Sequence, residues 1–187
     1  MKSSGRPTVL VVDDEPDMTS LCEAWLSDDA DVRVANSGRD ALETVDEDVD
    51  VVLLDRRMPD LLGSEVLERI RDHGYDCRVA MLTAVSPDTD IVDMGFDTYL
   101  TKPIDADELR ETVQRLEALD DYDDSVGDLY SLVEKRVHLE RTHAADELED
   151  DDAYQTLLDR IDTLEERIDR NVETLDDNAF RAAFSEL

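Results

Sequence analysis

Along the first two thirds of the chain the hydrophobic residues alternate between two spacings. Short runs rich in β-branched residues, at Thr8 to Val12, Val32 to Ala35, Val51 to Leu54, Arg78 to Thr83 and Thr98 to Leu100, read as strands. Between them, apolar residues fall three and four apart, as on one face of a helix. The run from Val51 to Leu54 is apolar throughout, which fits a strand buried on both faces of a parallel sheet, and Pro59 marks its end because proline cannot donate to a ladder. Pro16 suits the first turn of a helix carrying Met18, Leu21, Cys22, Trp25 and Leu26. Ser37 caps a helix from Gly38 to Glu47, with Asp40 as capping-box partner, and a third helix runs from Ser64 to Asp72 and closes at Gly74. Ser86-Pro87 opens a short fourth ending near Gly95, and Asp105 with Glu108 frames a fifth reaching Leu119. Five strand–helix units predict an α/β fold with a doubly wound parallel sheet.

After Leu119 the pattern changes. Asp120-Asp121-Tyr122-Asp123-Asp124 is an acidic break, and beyond it helical spacing alone continues. Val126, Tyr130, Val133, Val137, Ala144 and Leu148 form one stripe; Tyr154, Leu157, Ile161, Leu164, Ile168 and Leu175 form another. Glu149 to Asp152 separates them, with Asp152 and Gln155 placed as a capping box. The expected division is therefore 8–119 for the α/β domain, 120–125 for a linker and 126–187 for an all-α helical hairpin. The second stripe also carries the spacing of a short coiled-coil seam with Asn171 as its polar position, so a homodimer through this helix, or through the α/β domain, is a further expectation. Leu158 and Val172 widen the apolar face beyond a strict seam and favour an antiparallel hairpin within one chain.

Charge bears on the medium more than on the fold. The 187 residues include 51 acidic and 19 basic side chains, a formal net charge of -32. Self-repulsion of that size is largely screened near molar salt, where the Debye length is about 3 Å, so the balance fits a protein adapted to a salty cytoplasm. The regular apolar spacing excludes an acidic disordered chain. Nucleic acid is disfavoured as a partner by the same charge. Met1 to Pro7 lacks the apolar core of a signal peptide and no apolar run approaches a membrane span, so a cytoplasmic location without a membrane partner is expected. Cys22 and Cys77 stand far apart, outside any Cys/His cluster, and read as buried reduced thiols.

Candidate chemistry lies at the carboxyl ends of the strands, where open α/β sheets bind ligands. Asp13 and Asp14 follow the first strand, Asp55 the third, Thr83 ends the fourth and Lys102 follows the fifth. Converging carboxylates repel unless a hard cation joins them, and Mg²⁺ suits such oxygen ligands. A cation there also neutralises an incoming phosphoryl group and leaves Asp55 able to act as a nucleophile, giving an aspartyl phosphate. Thr83 supplies a hydroxyl donor and Lys102 a point charge for the phosphoryl oxygens. Acidic triplets arise by chance in so acidic a chain, so Asp13-Asp14-Glu15 takes its weight from directly following a strand. Lys102 takes its weight from being one of three lysines and preceding Pro103.

Val9-Leu10-Val11-Val12-Asp13-Asp14-Glu15, Leu54-Asp55-Arg56-Arg57-Met58-Pro59, Met81-Leu82-Thr83-Ala84 and Tyr99-Leu100-Thr101-Lys102-Pro103 together resemble the receiver domain of two-component response regulators, over residues 8 to 119. The resemblance implies a flavodoxin-like five-stranded sheet in the order 2-1-3-4-5 and transfer of a phosphoryl group from a histidine kinase to Asp55. It further implies Mg²⁺ held by Asp13, Asp14, Asp55 and the backbone carbonyl of Arg57, a switch pair of Thr83 and Tyr99, and a cis Lys102-Pro103 peptide that aims the lysine. Such a receiver catalyses its own phosphorylation and dephosphorylation and is otherwise not an enzyme. By the family's geometry Arg57 leans over the phosphoryl group and would prolong its lifetime. The tail resembles the HalX domain of haloarchaeal response regulators, a label that brings no established activity. The expected function is a phosphorelay switch that alters the receiver's contacts with its tail or partners; the alternative is a DNA-binding transcription regulator with the tail as an atypical output. A phosphatase reading lacks a second Asp two residues after Asp55, where Arg57 stands.

Overall fold

The computed structural model describes residues 6–84, 89–119 and 124–171. Five parallel strands, β1 (Thr8–Val12), β2 (Asp31–Ala35), β3 (Val51–Asp55), β4 (Arg78–Thr83) and β5 (Thr98–Thr101), pair in the order β2-β1-β3-β4-β5. This is the flavodoxin-like order expected from the sequence motifs. Val12 lies opposite Leu54, Leu54 opposite Met81, and Met81 opposite Tyr99, so one row of side chains runs across four strands. The central β3 is buried along its whole length, which is the physical reason for its unbroken apolar run.

Alternation along the strands builds two cores. Val9, Val11, Leu53, Leu82 and Leu100 face helices α1 (Pro16–Leu26) and α4 (Ala106–Leu119), where Cys22, Leu26, Leu109 and Leu116 meet them. Leu10, Val12, Leu54, Val79, Met81 and Tyr99 face the other way. There α2 (Gly38–Thr44) and α3 (Gly63–Asp72) cover part of the sheet with Ala41, Val66, Leu67 and Ile70. Cys22 and Cys77 are both buried thiols outside any disulfide.

The helix ends follow local chemistry, with several corrections to the expected pattern. Ser37 Oγ accepts from the Asp40 N–H at 3.1 Å, but the carboxylate reaching the amides of Gly38 and Arg39 belongs to Asp60. Helix α2 stops at Thr44, short of Glu47, because Val45 turns to an extended conformation and drops into the core. Gly74 closes α3 with φ +75°, the left-handed C′ position that glycine adopts at least cost. Asp105 caps α4 by accepting from the amides of Asp107 and Glu108.

The expected fourth helix is not formed as drawn. Ser86-Pro87 lie outside the described residues, and Thr89–Asp93 is a single 3₁₀ turn. Among the described residues, no α-helix of the β4–β5 connection covers this half of the sheet. Its cover comes from the tail: α5 (Asp124–Thr142) lays Val126, Leu129, Leu132 and Val133 into the same core as Val79, Ile91, Phe96 and Tyr99. After α5 come a short α6 (Ala145–Glu149) and α7 (Asp152–Asn171), which packs back on α5 as the second arm of a hairpin. Leu148, Tyr154, Leu157, Ile161 and Ile168 are buried there, and Leu158 and Leu164 pack partly buried beside them. Ala144 is exposed, because the chain leaves the helix at His143. The α7 cap falls one residue earlier than expected: Asp151, not Asp152, accepts from the Tyr154 N–H at 2.9 Å, while its carbonyl accepts from Gln155. Val172 and Leu175 lie outside the described residues. No helix of the described residues is long and apolar enough to cross a membrane.

Candidate functional site

Asp13 directly follows β1 and Asp55 ends β3, and the two strands are neighbours in register. The side chains continue the alternation of Val9 and Val11, and of Val51 and Leu53, so both carboxylates emerge on the α1/α4 side of the sheet. Asp13 is 1% exposed and Asp55 6%. Lys102 follows β5, its N–H donating to the Thr83 carbonyl at 2.7 Å and its peptide to Pro103 cis, as expected. From there its ammonium reaches back across the sheet and donates to Asp13 Oδ2 at 2.6 Å and to Asp55 Oδ1 at 2.7 Å.

The remaining carboxylate oxygens are held by the chain itself. Asp55 Oδ2 accepts from the Arg57 N–H at 2.6 Å, and Asp13 Oδ1 from the Glu15 N–H at 2.9 Å, each a turn of the kind aspartate forms with the amide two residues on. Burial pushes the Asp55 pKa up, and its bonds to Lys102 and Arg57 only partly offset that. Burial pulls the Lys102 ammonium down, but its hydrogen bonds to Asp13 and Asp55 outweigh it and leave its pKa raised. The cluster is thus two buried anions matched by one cation.

The other expected residues take different places. Asp14 is exposed, and among the described residues no three acidic, His or Cys side chains stand close enough together to hold a metal ion. Asp13 and Asp14 both lie beyond the end of β1, the first buried and the second exposed. Arg57 contributes its backbone N–H to Asp55 and leaves its side chain exposed. Asp13, Asp55 and Lys102 are joined by direct hydrogen bonds, with Thr83 buried at the end of β4 and Tyr99 buried within β5.

Three residues near the site went unread in the sequence. Arg56 Nη1 donates to the Tyr99 hydroxyl at 3.3 Å, linking the residue after Asp55 to the second core. An arginine in a loop gives no sequence signal that separates such a role from a solvated charge. Asp60 caps α2 from beyond β3. Gly63 lets α3 start against the strand end: a Cβ there would lie 2.3 Å from the Asp55 carbonyl oxygen, and its N–H donates to the Arg56 carbonyl at 2.9 Å.

Residues 9–114 match the family model of the response regulator receiver domain, and residues 118–184 match that of the HalX domain. A Haloferax volcanii protein named as a candidate transcriptional regulator is 44% identical over 157 residues, 83% of this chain and 27% of its own length. The transcriptional regulatory protein DltR of Streptococcus agalactiae is 41% identical over 106 residues, 54% of this chain and 47% of its own. The chain thus spans 27% and 47% of the length of these curated relatives. Among solved structures, the response regulator protein TrrA of Thermotoga maritima, in complex with Mg²⁺ and beryllium fluoride, is 34% identical with a TM-score of 0.53, covering 59% of this chain and 98% of that one. A signal receiver domain from Vibrio parahaemolyticus is 27% identical with a TM-score of 0.56, covering 70% of this chain and 98% of that one.

Proposed function

The chain belongs to the response regulator receiver family, with a HalX match behind the receiver, and from that premise we propose that Asp55 takes a phosphoryl group from a histidine kinase. The observation that carries this reading is the Asp55 carboxylate itself: buried at the end of the central strand, with one oxygen on the Lys102 ammonium and the other on the Arg57 amide. An Asp55 oxygen attacks phosphorus, a new O–P bond forms, and the bond to the donor's histidine nitrogen breaks with its electron pair leaving on the imidazole.

The donor set fits a hard divalent cation, since Asp13 and Asp55 offer carboxylate oxygens at one point and their attraction for positive charge is already visible in Lys102. In this reading Asp13, Asp14, Asp55 and the Arg57 carbonyl would hold Mg²⁺. When bound, the ion supplies charge that offsets the phosphoryl oxygens. Lys102, aimed by its peptide to Pro103, holds one phosphoryl oxygen, and the Thr83 hydroxyl a second. Thr83 and Tyr99 form the switch pair, Arg57 slows loss of the phosphate, and the receiver catalyses both its phosphorylation and its dephosphorylation. The receiver takes in residues 8–119, and the HalX-like hairpin begins near residue 126.

The test is labelling by a small acyl phosphate with Mg²⁺ in molar KCl, read by intact mass. The parent chain gains one phosphoryl group and Asp55→Asn gains none. Labelling of Asp55→Asn at the parental level, or labelling of the parent without a divalent cation, defeats the assignment. The names of the Haloferax and Streptococcus relatives favour transcription control as the output, and a salt series of DNA binding by the phosphorylated chain addresses it.

A further inference from the structure

We propose that the cavity between the tail hairpin and the β4–β5 side of the receiver binds a small amino-acid-like zwitterion, its carboxylate on the Lys135 ammonium and its cationic end toward an acidic opening. The cavity holds about 530 Å³, within the range of sites for small molecules. Its walls come from the end of α3, the residues that follow the 3₁₀ turn, α5 and α7. Four of the chain's 19 basic side chains, Arg71, Arg78, Lys135 and Arg160, line it. Against a net charge of -32, scarce cations are gathered at one place.

The buried wall carries more positive charge than its own carboxylate matches. Asp97, 6% exposed, accepts from Arg71 at 3.3 Å, from Arg78 at 3.1 Å and from the Val79 N–H at 2.7 Å. Lys135 is 2% exposed. Its ammonium donates to the Met94 carbonyl and lies 4.8 Å from the Phe96 ring centroid, and among the described residues no carboxylate stands within ion-pair distance of it. An ammonium has three N–H donors, and the one carbonyl takes one of them. Burial, followed by the charges of Arg160 and Arg71, pulls its pKa down to about 8, which Asp97 and Asp93 only partly offset. An apolar side chain would fill the same space with no charge to desolvate. Lys135 is instead held at the cavity wall, where an incoming carboxylate supplies the anion it lacks. The exposed lining has the opposite sign: Asp76, Asp93 and Asp128 outnumber Arg160, which lies 3.7 Å from Asp93. These carboxylates disfavour a multiply charged anion such as a phosphate ester and favour a ligand whose outer end is cationic.

Carbon NMR of the lysine side chains tests this, because the chain has only Lys2, Lys102 and Lys135, and Lys135→Met identifies the signal that matters. The full chain, labelled at the lysine Cε and kept in molar KCl, is titrated with base alone and with butyrate, 4-aminobutyrate or butyramide. Butyrate should raise the Lys135 midpoint by about one pH unit, a tenfold preference for the charged amine. The zwitterion 4-aminobutyrate should do the same at roughly a third of the concentration, the gain from one exposed charge pair. Butyramide, of the same shape without the charge, should leave the midpoint where it was. Nuclear Overhauser contacts should join the methylenes of bound 4-aminobutyrate to the Leu164 methyl groups on the cavity wall. A Lys135 midpoint that neither anion moves, or that butyramide moves equally, overturns the proposal. A moved midpoint without contacts to Leu164, or movement of Lys102 in place of Lys135, puts the ligand elsewhere and overturns it as well. Butyrate acting as strongly as 4-aminobutyrate overturns the role of the acidic opening.

Discussion

Lys102 and Lys135 sit at opposite ends of β5, both largely withdrawn from water, and their surroundings push their charge in opposite directions. Lys102 lies between two buried carboxylates and its pKa is raised. Lys135 has a carbonyl and an aromatic face for partners, and burial, followed by the nearby Arg160, pulls its pKa down to about 8. The contrast separates two uses of a buried cation. At the site the positive charge is matched by anions, so the carboxylates are held ready for a cation or a phosphoryl group. At the tail interface Asp97 and Asp93 only partly offset burial and Arg160, so the charge weakens the fold and what it supplies is position.

The largest test of that contrast is Lys102→Met. It leaves Asp13 and Asp55 facing each other without a cation, and loss of one partner from a buried ionic cluster costs about 3–5 kcal/mol. Thermal unfolding at pH 8 should fall accordingly. Part of the loss should return with millimolar Mg²⁺, or as the pH is lowered, because burial raises the Asp55 pKa and favours its protonation. An unchanged melting temperature would show that the carboxylates do not depend on the ammonium.

Lys135→Met should act in the other direction. A drop from 10.5 to about 8 corresponds to roughly 3 kcal/mol of stability lost at pH 7, where the amine is charged in both states. Between about pH 8 and 10 the unfolded chain binds the proton that the folded chain releases, so this loss shrinks as pH rises. Denaturant unfolding should therefore find the variant more stable than the parent at pH 7 and nearly equal to it at pH 10. A destabilised variant would mean that the ammonium contributes more than its position.

Glu134→Gln sharpens the comparison from the anionic side of the same helix. Burial pushes the Glu134 pKa up, but His138, Thr98 and Arg115 outweigh it and hold the carboxyl below its usual value. A depressed carboxyl contributes stability above its unfolded pKa and loses it as pH falls through the folded one. The variant should be about 1 kcal/mol less stable at pH 7, and the difference should close as falling pH protonates Glu134 in the parent, measured by unfolding in molar KCl. The smallest effect belongs to Arg57→Ala. Its side chain is exposed, so the half-life of the phosphorylated state should shorten by no more than about twofold to threefold, in line with the small energies of exposed charges.

What could be read from the sequence, and what could not, follows from the range of each signal. β3 was legible because a strand covered on both faces has no solvent side to interrupt Val51-Val52-Leu53-Leu54. Asp55 and Lys102 were legible because strand ends fix where side chains emerge. Which of Asp13 and Asp14 is buried was not, since two neighbouring aspartates look alike in sequence. Periodicity also marked a buried face on α5 through Val126, Tyr130 and Val133, but it cannot say what covers that face. The partner proved to be the β4–β5 half of the sheet as well as α7. Glu134 and Lys135 hid this further, because charged residues in a helix read as a solvated side until their partners at Thr98 and Met94 are known.

Closure of this half of the sheet by α5 has a consequence for how the protein is made. On a ribosome the chain emerges from its N-terminus, and Tyr99 leaves long before residue 142. During that interval Val79, Phe96 and Tyr99, on the face next to the edge strand β5, lack the helix that later covers them. The nascent receiver is therefore sticky along this edge until α5 is synthesised, and a stalled or prematurely terminated product would carry the same exposed edge. Exchange of this tail for an unrelated one during evolution would face that constraint too, because the incoming segment must supply a cover for β5 as well as an output.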